Sequence, residues 1–515
     1  MSKTTLSILG SLLLGTALAA SASASQAKHT PGNGDLPHYV LFDVGSFGGG
    51  FSGFCYPNCR QLNQKGAAVG INTTLLPDLL DPLCFIDCHV DPAFDWKNGG
   101  TNLLPSLQNG AYAAWSQGIN DKGVSAGFSQ NGAMDDDIGS FQGRAVLWKN
   151  GKARDLGTLG GTQSNAWTVN NAGQVVADAS TSDTSDPFLN VPQANCKWLP
   201  TLGPDCSDVD FATNTLYTPV TTTMRGAAWT KAGGLVDIGT LGGPDSSAFD
   251  INDAGQIVGW SYTSYTAGAS GVPDTQAFVW DAVHGMQPLP GLGGTFSAAT
   301  QINKNGQITG VANTSGDAEV HSVVWDAAHN VHDRGTLGSD YGHPDWMNNV
   351  GDIVGFSRTG DQVGRAFVYW HDGDHMIDLG TIGDDPESEA TGINNKGMII
   401  GITFQRGVAD LRGWISDNGT QITDLNTLIR KSHGIHVFAA NTINDRGVIA
   451  AQGELKNGEQ HAVILVPEND FEMLAQMNAT VRSAPRHDNG ARKDQTERPS
   501  CHAGRHMRPH FCLGG

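Results

Sequence analysis

The chain has 515 residues, 67 of them glycine, with 16% charged residues and a formal net charge of −20. So much glycine and so few charges suit a turn-rich, all-β protein, and the acidic balance disfavours a polyanion such as nucleic acid as partner. No later stretch approaches the ~20 apolar residues of a membrane helix, so no membrane span is expected.

Residues 1–27 have the marks of an export signal. Lys3 gives the positive start, Leu6 to Ala20 the short apolar core, and ASASASQA the small-residue cleavage region. This implies a secreted or periplasmic protein.

From residue 38 onward one pattern recurs. In Asp237–Ser261, DIGTLGGPDSSAFDINDAGQIVGWS, a half-buried strand leads to a Gly-Pro break, a second strand, a tight turn and a β-branched return strand. The turn glycine of the IN-x-x-G phrase appears as Gly66, Gly123, Gly173, Gly255, Gly306, Gly351, Gly397 and Gly447, at gaps of 57, 50, 82, 51, 45, 46 and 50 residues. Between these turns lie outer hairpins such as RAVLWKNGKARDLGTLGG (144–161) and RAFVYWHDGDHMIDLGTIG (365–383). Four strands per period in the forties to fifties predicts propeller blades.

The ends of the pattern are half-units. HYVLFDVGSF (38–47) has no strand before it to pair with, and QHAVILVP (460–467) has none after it. Paired, they complete a blade. The expected fold is therefore all-β: a single closed propeller of about eight four-stranded blades over 38–467, the ring closed by its N- and C-terminal strands. Seven blades is the alternative if the irregular first repeat does not complete one. Residues 468–515, poor in apolar side chains, are expected to be a disordered tail.

The tripeptides QAF (276–278), RAF (365–367), GAA (226–228) and HAV (461–463), with the adjoining DLGTLGG and IN-x-x-G-x-I-V-G phrases, resemble the extracellular HAF repeat family. The resemblance covers roughly 38–467. It implies an exported, β-propeller-like repeat protein and brings no catalytic motif with it.

With strands named a to d from axis to rim, the b–c connections vary most in length, so a site is expected on the b–c/d–a face. The largest such loops are Leu75–Asp91, Ser129–Gln142 and Ala179–Met224. Asp135, Asp136 and Asp137 could ligate calcium, which takes several oxygens, but the spacing is not that of an EF-hand, and a solvated loop is the preferred reading. No other cofactor and no metal site is expected. Trp260, Tyr262 and Tyr265 lead into a b–c loop and Trp346 replaces a usual strand-a residue, so these are the candidates for stacking on a sugar or another flat ligand. The repeated Trp148, Trp229, Trp280 and Trp325 are expected to pack between blades.

Eight cysteines in an exported chain fall in close pairs, Cys55/Cys59, Cys84/Cys88, Cys196/Cys206 and Cys501/Cys512, and disulfides are expected. Pairing across the first two pairs stays open. No nucleophile, zinc or phosphate-loop motif is present. The expected function is non-catalytic binding of an extracellular glycan or protein by a monomer. The alternative is a carbohydrate-active enzyme, a polysaccharide lyase or glycoside hydrolase, with its site at the mouth of the axis.

Overall fold

The computed structural model describes residues 36–55, 59–77, 89–108, 113–135, 140–185, 222–268, 271–405, 411–417 and 419–483. Its strands fall into eight antiparallel four-stranded units. Unit 1 is 48–53, 68–74, 93–97 and 100–103; unit 2 is 114–119, 125–135, 140–149 and 152–155. Units 3 to 7 follow in chain order, starting at Gly160, Ser246, Gly293, Gly338 and Glu387. Unit 8 takes 436–443, 449–454 and 460–467 from the C-terminal end and Tyr39–Asp43 from the N-terminal end.

That last pairing is antiparallel, with Tyr39 opposite Pro467, Leu41 opposite Leu465 and Asp43 opposite Val463. The two half-units of the sequence therefore join. The last strand is buried on both faces, Val463 and Leu465 packing with Tyr39 and Leu41 on one side and Ala462, Ile464 and Val466 with Phe94 and Trp96 on the other, and this two-sided burial fixes the register.

Each a–b hairpin turns at the expected glycine. All eight turn glycines have φ between +71° and +102°, the left-handed region that a side chain resists. Within the hairpins glycine also permits close approach: a Cβ on Gly259 would lie 1.9 Å from the Ser247 carbonyl oxygen.

The core lies between successive units. Trp96, Trp148, Trp229, Trp325 and Trp414, all on strands c, are buried. Trp148 and Trp325 donate their indole N–H to the carbonyls of Pro105 and Pro290, each at 2.8 Å. Trp280 is only half-buried but packs against the same kind of cluster.

Two expectations change. The Ser129–Gln142 segment is not a loose loop: strands b and c of unit 2 extend to pair Met134 with Phe141 and Asp135 with Ser140. The tail after Glu468 begins with a helix, Phe471–Ser483, where disorder was expected. Asp470 caps it, accepting the Met473 amide at 3.2 Å. Met473 and Met477, four residues apart, are buried against the core that holds Phe94 and Trp96. Low apolar content over the whole tail hid this one short amphipathic face. Residues 484–515 lie outside the described residues. Among the described residues no helix is long and apolar enough to cross a membrane.

Candidate functional site

The asparagine of the IN-x-x-G phrase has two jobs in every unit. Its Oδ1 accepts the backbone amide four residues on, which ties the turn. Its Nδ2 reaches into the next unit and donates to the carbonyl of that unit's asparagine. The bonds run from Asn63 to Asn120, Asn170, Asn252, Asn303, Asn348, Asn394 and Asn444, and Asn444 donates back to Asn63. Their lengths are 2.8 to 3.3 Å, and all eight side chains are buried.

The next residue forms a second belt. Backbone amides of Gln64, Asp121, Asn171, Lys304, Asn349, Asn395 and Asp445 each donate to the side chain of the following member. The belt is interrupted between Asp253 and Lys304, because a lysine ammonium has no acceptor.

These belts surround a central cavity of about 320 Å³ to which all eight units contribute. Below the polar belts its wall is apolar, with Leu62, Ile119, Val169, Ile302, Met347, Ile393 and Ile443. The cavity opens among the a–b turns, at the end opposite to the b–c/d–a face where a site was expected. Loop variability pointed to one face, whereas the geometry that gathers side chains from every unit is on the other.

Arg60 stands in this cavity. In the other seven units, strand a carries a β-bulge whose extra residue is three before the belt asparagine: Gln117, Trp167, Phe249, Thr300, Asp345, Thr391 and Asn441. In unit 1 the residue three before the belt asparagine is Arg60, directly after the Cys55–Cys59 disulfide. Neighbours hold its backbone: Ile119 N–H donates to the Arg60 carbonyl at 2.8 Å, and Thr442 Oγ1 to the Cys59 carbonyl at 3.3 Å. The Arg60 guanidinium crosses to units 4 and 5, meeting Asp250 Oδ2 at 2.7 Å in the first and the Ile302 carbonyl at 3.0 Å in the second. Asp250 also accepts the Ile251 and Ile302 amides, both at 2.9 Å. Burial pushes the Asp250 carboxyl up, against the pull of Arg60 and the two amides.

The sequence-derived candidates do not converge. Trp346 lines the same cavity as Arg60. Trp260 and Tyr262 touch edge to face on strand b of unit 4, 5.2 Å between centroids, with Tyr262 buried. Tyr265 is exposed beyond them. Asp135 is a buried strand residue whose carboxylate accepts Thr162 Oγ1 and Gln163 Nε2, so it locks unit 2 to unit 3. Asp136 and Asp137 lie outside the described residues. So do Cys84, Cys88, Cys196, Cys206, Cys501 and Cys512, while Cys55 pairs with Cys59 and not with a cysteine of the next loop.

A cluster that the sequence reading passed over lies on strands a of units 6 and 7. His343 Nε2 is 3.2 Å from Asp345 Oδ1 and 3.9 Å from Glu389 Oε1. Its Nδ1 is 2.8 Å from the Tyr341 hydroxyl, and its ring stacks on Phe356. Burial pushes the imidazole down, but the two carboxylates outweigh it and raise the pKa to about 10. The signal in the sequence was positional: His343 and Glu389 occupy the same place in successive repeats, where other units have Trp115, Asn165, Ser247, Ala298 and Ala439.

No protein-family model matches this chain, and no curated protein matches it. Among solved structures it is similar to TolB from Acinetobacter baumannii (12% identity, TM-score 0.31, covering 61% of this chain and 63% of that one). It is similar also to a puromycin-hydrolyzing peptidase of Mycobacterium tuberculosis (12%, 0.40, 82% and 62%). A third is the β-propeller domain of the Trilobed protease from Pyrococcus furiosus (10%, 0.28, 65% and 98%). The chain thus spans under two thirds of the first two.

Proposed function

We propose that this protein is an exported, closed eight-bladed β-propeller that binds the end of an extracellular glycan in its central cavity and performs no chemistry on it. The observation that carries the reading is the cavity itself. Carboxamides and carboxylates of the turns line it together with apolar side chains, Arg60 and Trp346. Its volume of about 320 Å³ is at the small end of ligand sites, which suits one or two sugar residues better than a protein surface. Hydroxyl groups find both donors and acceptors at the mouth, and an indole offers a flat face.

Two features support the closed form: the pairing of Tyr39–Asp43 with the last strand, and the asparagine belt that returns to its start. The Cys55–Cys59 disulfide agrees with an oxidising compartment. Catalysis is the weaker reading because Asp250, the acid that Arg60 reaches, is already matched by that guanidinium and two amides. An acid free to take or give a proton would be needed there.

The test is a glycan array with the purified chain, followed by calorimetry on any hit and a search for new reducing ends. Binding without turnover, weakened about tenfold or more by Trp346→Ala, is expected; one lost aromatic contact is worth roughly 1.4 kcal/mol on that scale. New reducing ends would overturn the non-catalytic reading in favour of a lyase or hydrolase. Binding unaffected by Trp346→Ala would remove the cavity as the site.

A further inference from the structure

We propose that His343, Asp345 and Glu389 form a three-ligand site for one divalent first-row transition-metal cation, joining units 6 and 7. The site is separate from the glycan cavity and does not depend on that reading.

The geometry comes first. One ligand atom from each residue lies within 4.8 Å of the others. Ligand atoms around a tetrahedral ion with bonds of ~2.1 Å sit roughly 3.4 Å apart. The His343–Asp345 distance of 3.2 Å already fits, and the His343–Glu389 distance of 3.9 Å needs only a small side-chain shift. The imidazole is aimed before any ion arrives. Phe356 stacks on one face and the Tyr341 hydroxyl meets Nδ1, leaving Nε2 for the cation. Fixing the remote nitrogen in this way is how proteins orient a ligating histidine.

A second observation is independent of that spacing. The Asp345 side chain is 0% exposed. Its Oδ2 accepts no hydrogen bond, and Oδ1 has no better neighbour than His343 Nε2. A carboxylate withdrawn from water is costly unless cations or donors meet it; the His343 ring does so at Oδ1 alone, which leaves Oδ2 open to a metal ion. Asp345 is the extra residue of its β-bulge, and a bulge re-aims a side chain. The other units put Gln, Trp, Phe, Thr or Asn at that place, so the scaffold does not require an acid there. Nor does it require the histidine and glutamate of the neighbouring position.

One imidazole and two carboxylates favour a borderline ion, between Mn²⁺ and Zn²⁺ in type. Calcium takes six to eight oxygens and is disfavoured here. With three protein ligands the ion would keep a place for water.

The full chain should be stripped with EDTA, freed of chelator and titrated with Zn²⁺, Mn²⁺ and Ca²⁺ by calorimetry, beside Glu389→Gln and His343→Gln. The tail histidines remain in every variant, so they cancel in the comparison. We expect one more equivalent of Zn²⁺ or Mn²⁺ in the native chain than in either variant, and no difference with Ca²⁺. Tyr341→Phe should weaken the same equivalent by about tenfold, the scale of a lost outer partner. Equal stoichiometry in native chain and variants would overturn the proposal, as would a native chain that takes up no metal. Should the variants fail to fold, the Co²⁺ form of the native chain decides. Intense d–d bands of low-coordinate Co²⁺, without a thiolate charge-transfer band and persisting in a chain that ends at residue 483 and so lacks the tail histidines, support a nitrogen–oxygen site, and the weak bands of aqueous Co²⁺ alone reject it.

Discussion

Asn120 shows how much one residue of the repeat carries. Its Oδ1 accepts the amides of Lys122 and Val124, both at 3.0 Å, and its Nδ2 donates to the Asn170 carbonyl at 2.8 Å. Replacing it by aspartate keeps the two acceptor bonds and turns the donor into an oxygen facing a buried carbonyl. Replacing it by alanine loses all three bonds. Each buried group left without a partner costs about 1–3 kcal/mol. Asn120→Asp should therefore destabilise by roughly 2 kcal/mol although its turn stays tied. Asn120→Ala should cost about 3 kcal/mol or more. Denaturant midpoints of the two variants check this, and an aspartate variant as stable as the native chain would remove the belt from the account. The eight glycines of the turns could be followed in the sequence because positive φ leaves few other choices. The asparagine three residues before each was equally regular. Its role stayed hidden because its partner lies in the next unit, 45 to 82 residues away in seven of the eight steps and 381 in the step that returns from Asn444 to Asn63. His343, Asp345 and Glu389 were hidden for the opposite reason. They break the repeat, and only the fold brings two successive breaks together.

At the scale of elements, strands and their order followed from alternation and turn chemistry, while the helix Phe471–Ser483 did not. Its apolar face is short, Met473, Leu474 and Met477, and is meaningful only once Phe94 and Trp96 are there to receive it. The helix is also held by charge. Arg446, in the a–b turn of unit 8, meets both oxygens of Asp470, Nε to Oδ2 at 2.8 Å and Nη2 to Oδ1 at 2.5 Å. Burial pushes the Asp470 carboxyl up, but the paired guanidinium outweighs it and holds the pKa below the ordinary 3.8. A carboxyl depressed in the folded state stabilises above its unfolded value, and that contribution is lost as the pH falls through the folded one. Asp470→Asn keeps an oxygen that can cap the helix and removes the charge together with one of the two acceptors that face Arg446. With Arg446 a third exposed, the pair is worth about 1 kcal/mol. The native chain should exceed Asp470→Asn by that amount at pH 7, and the gap should close as the pH drops below 3.8. Unfolding midpoints measured across that range test it, and a gap that persists in acid would assign the effect to packing.

For the whole molecule the decisive contact joins the two ends of the described chain. Tyr39 and Leu41 are buried against Ile449, Val463 and Leu465, and the Val44 amide donates to the Ala462 carbonyl at 3.0 Å. The Tyr39 phenol is so enclosed that burial pushes its pKa well up. The strand Tyr39–Asp43 thus covers an edge that strand 460–467 would otherwise present. An uncovered edge is a template for another chain. Both half-units were legible in the sequence because each lacked a partner, and no other pairing completes them. A purified chain beginning at Val44 loses two buried side chains worth about 1.5–3 kcal/mol each, and leaves the backbone groups of 463–467 unpaired. Its unfolding midpoint should fall by several times more than that of any single-residue variant above. It should also associate through the bared edge, which light scattering would register as dimers or larger species. Adding back a synthetic peptide of residues 36–47 should restore both midpoint and monomer, since it supplies the missing strand without a covalent link. If the truncated chain keeps the native midpoint and mass, the terminal pairing does not hold the eight units together, and the asparagine belt alone must do so.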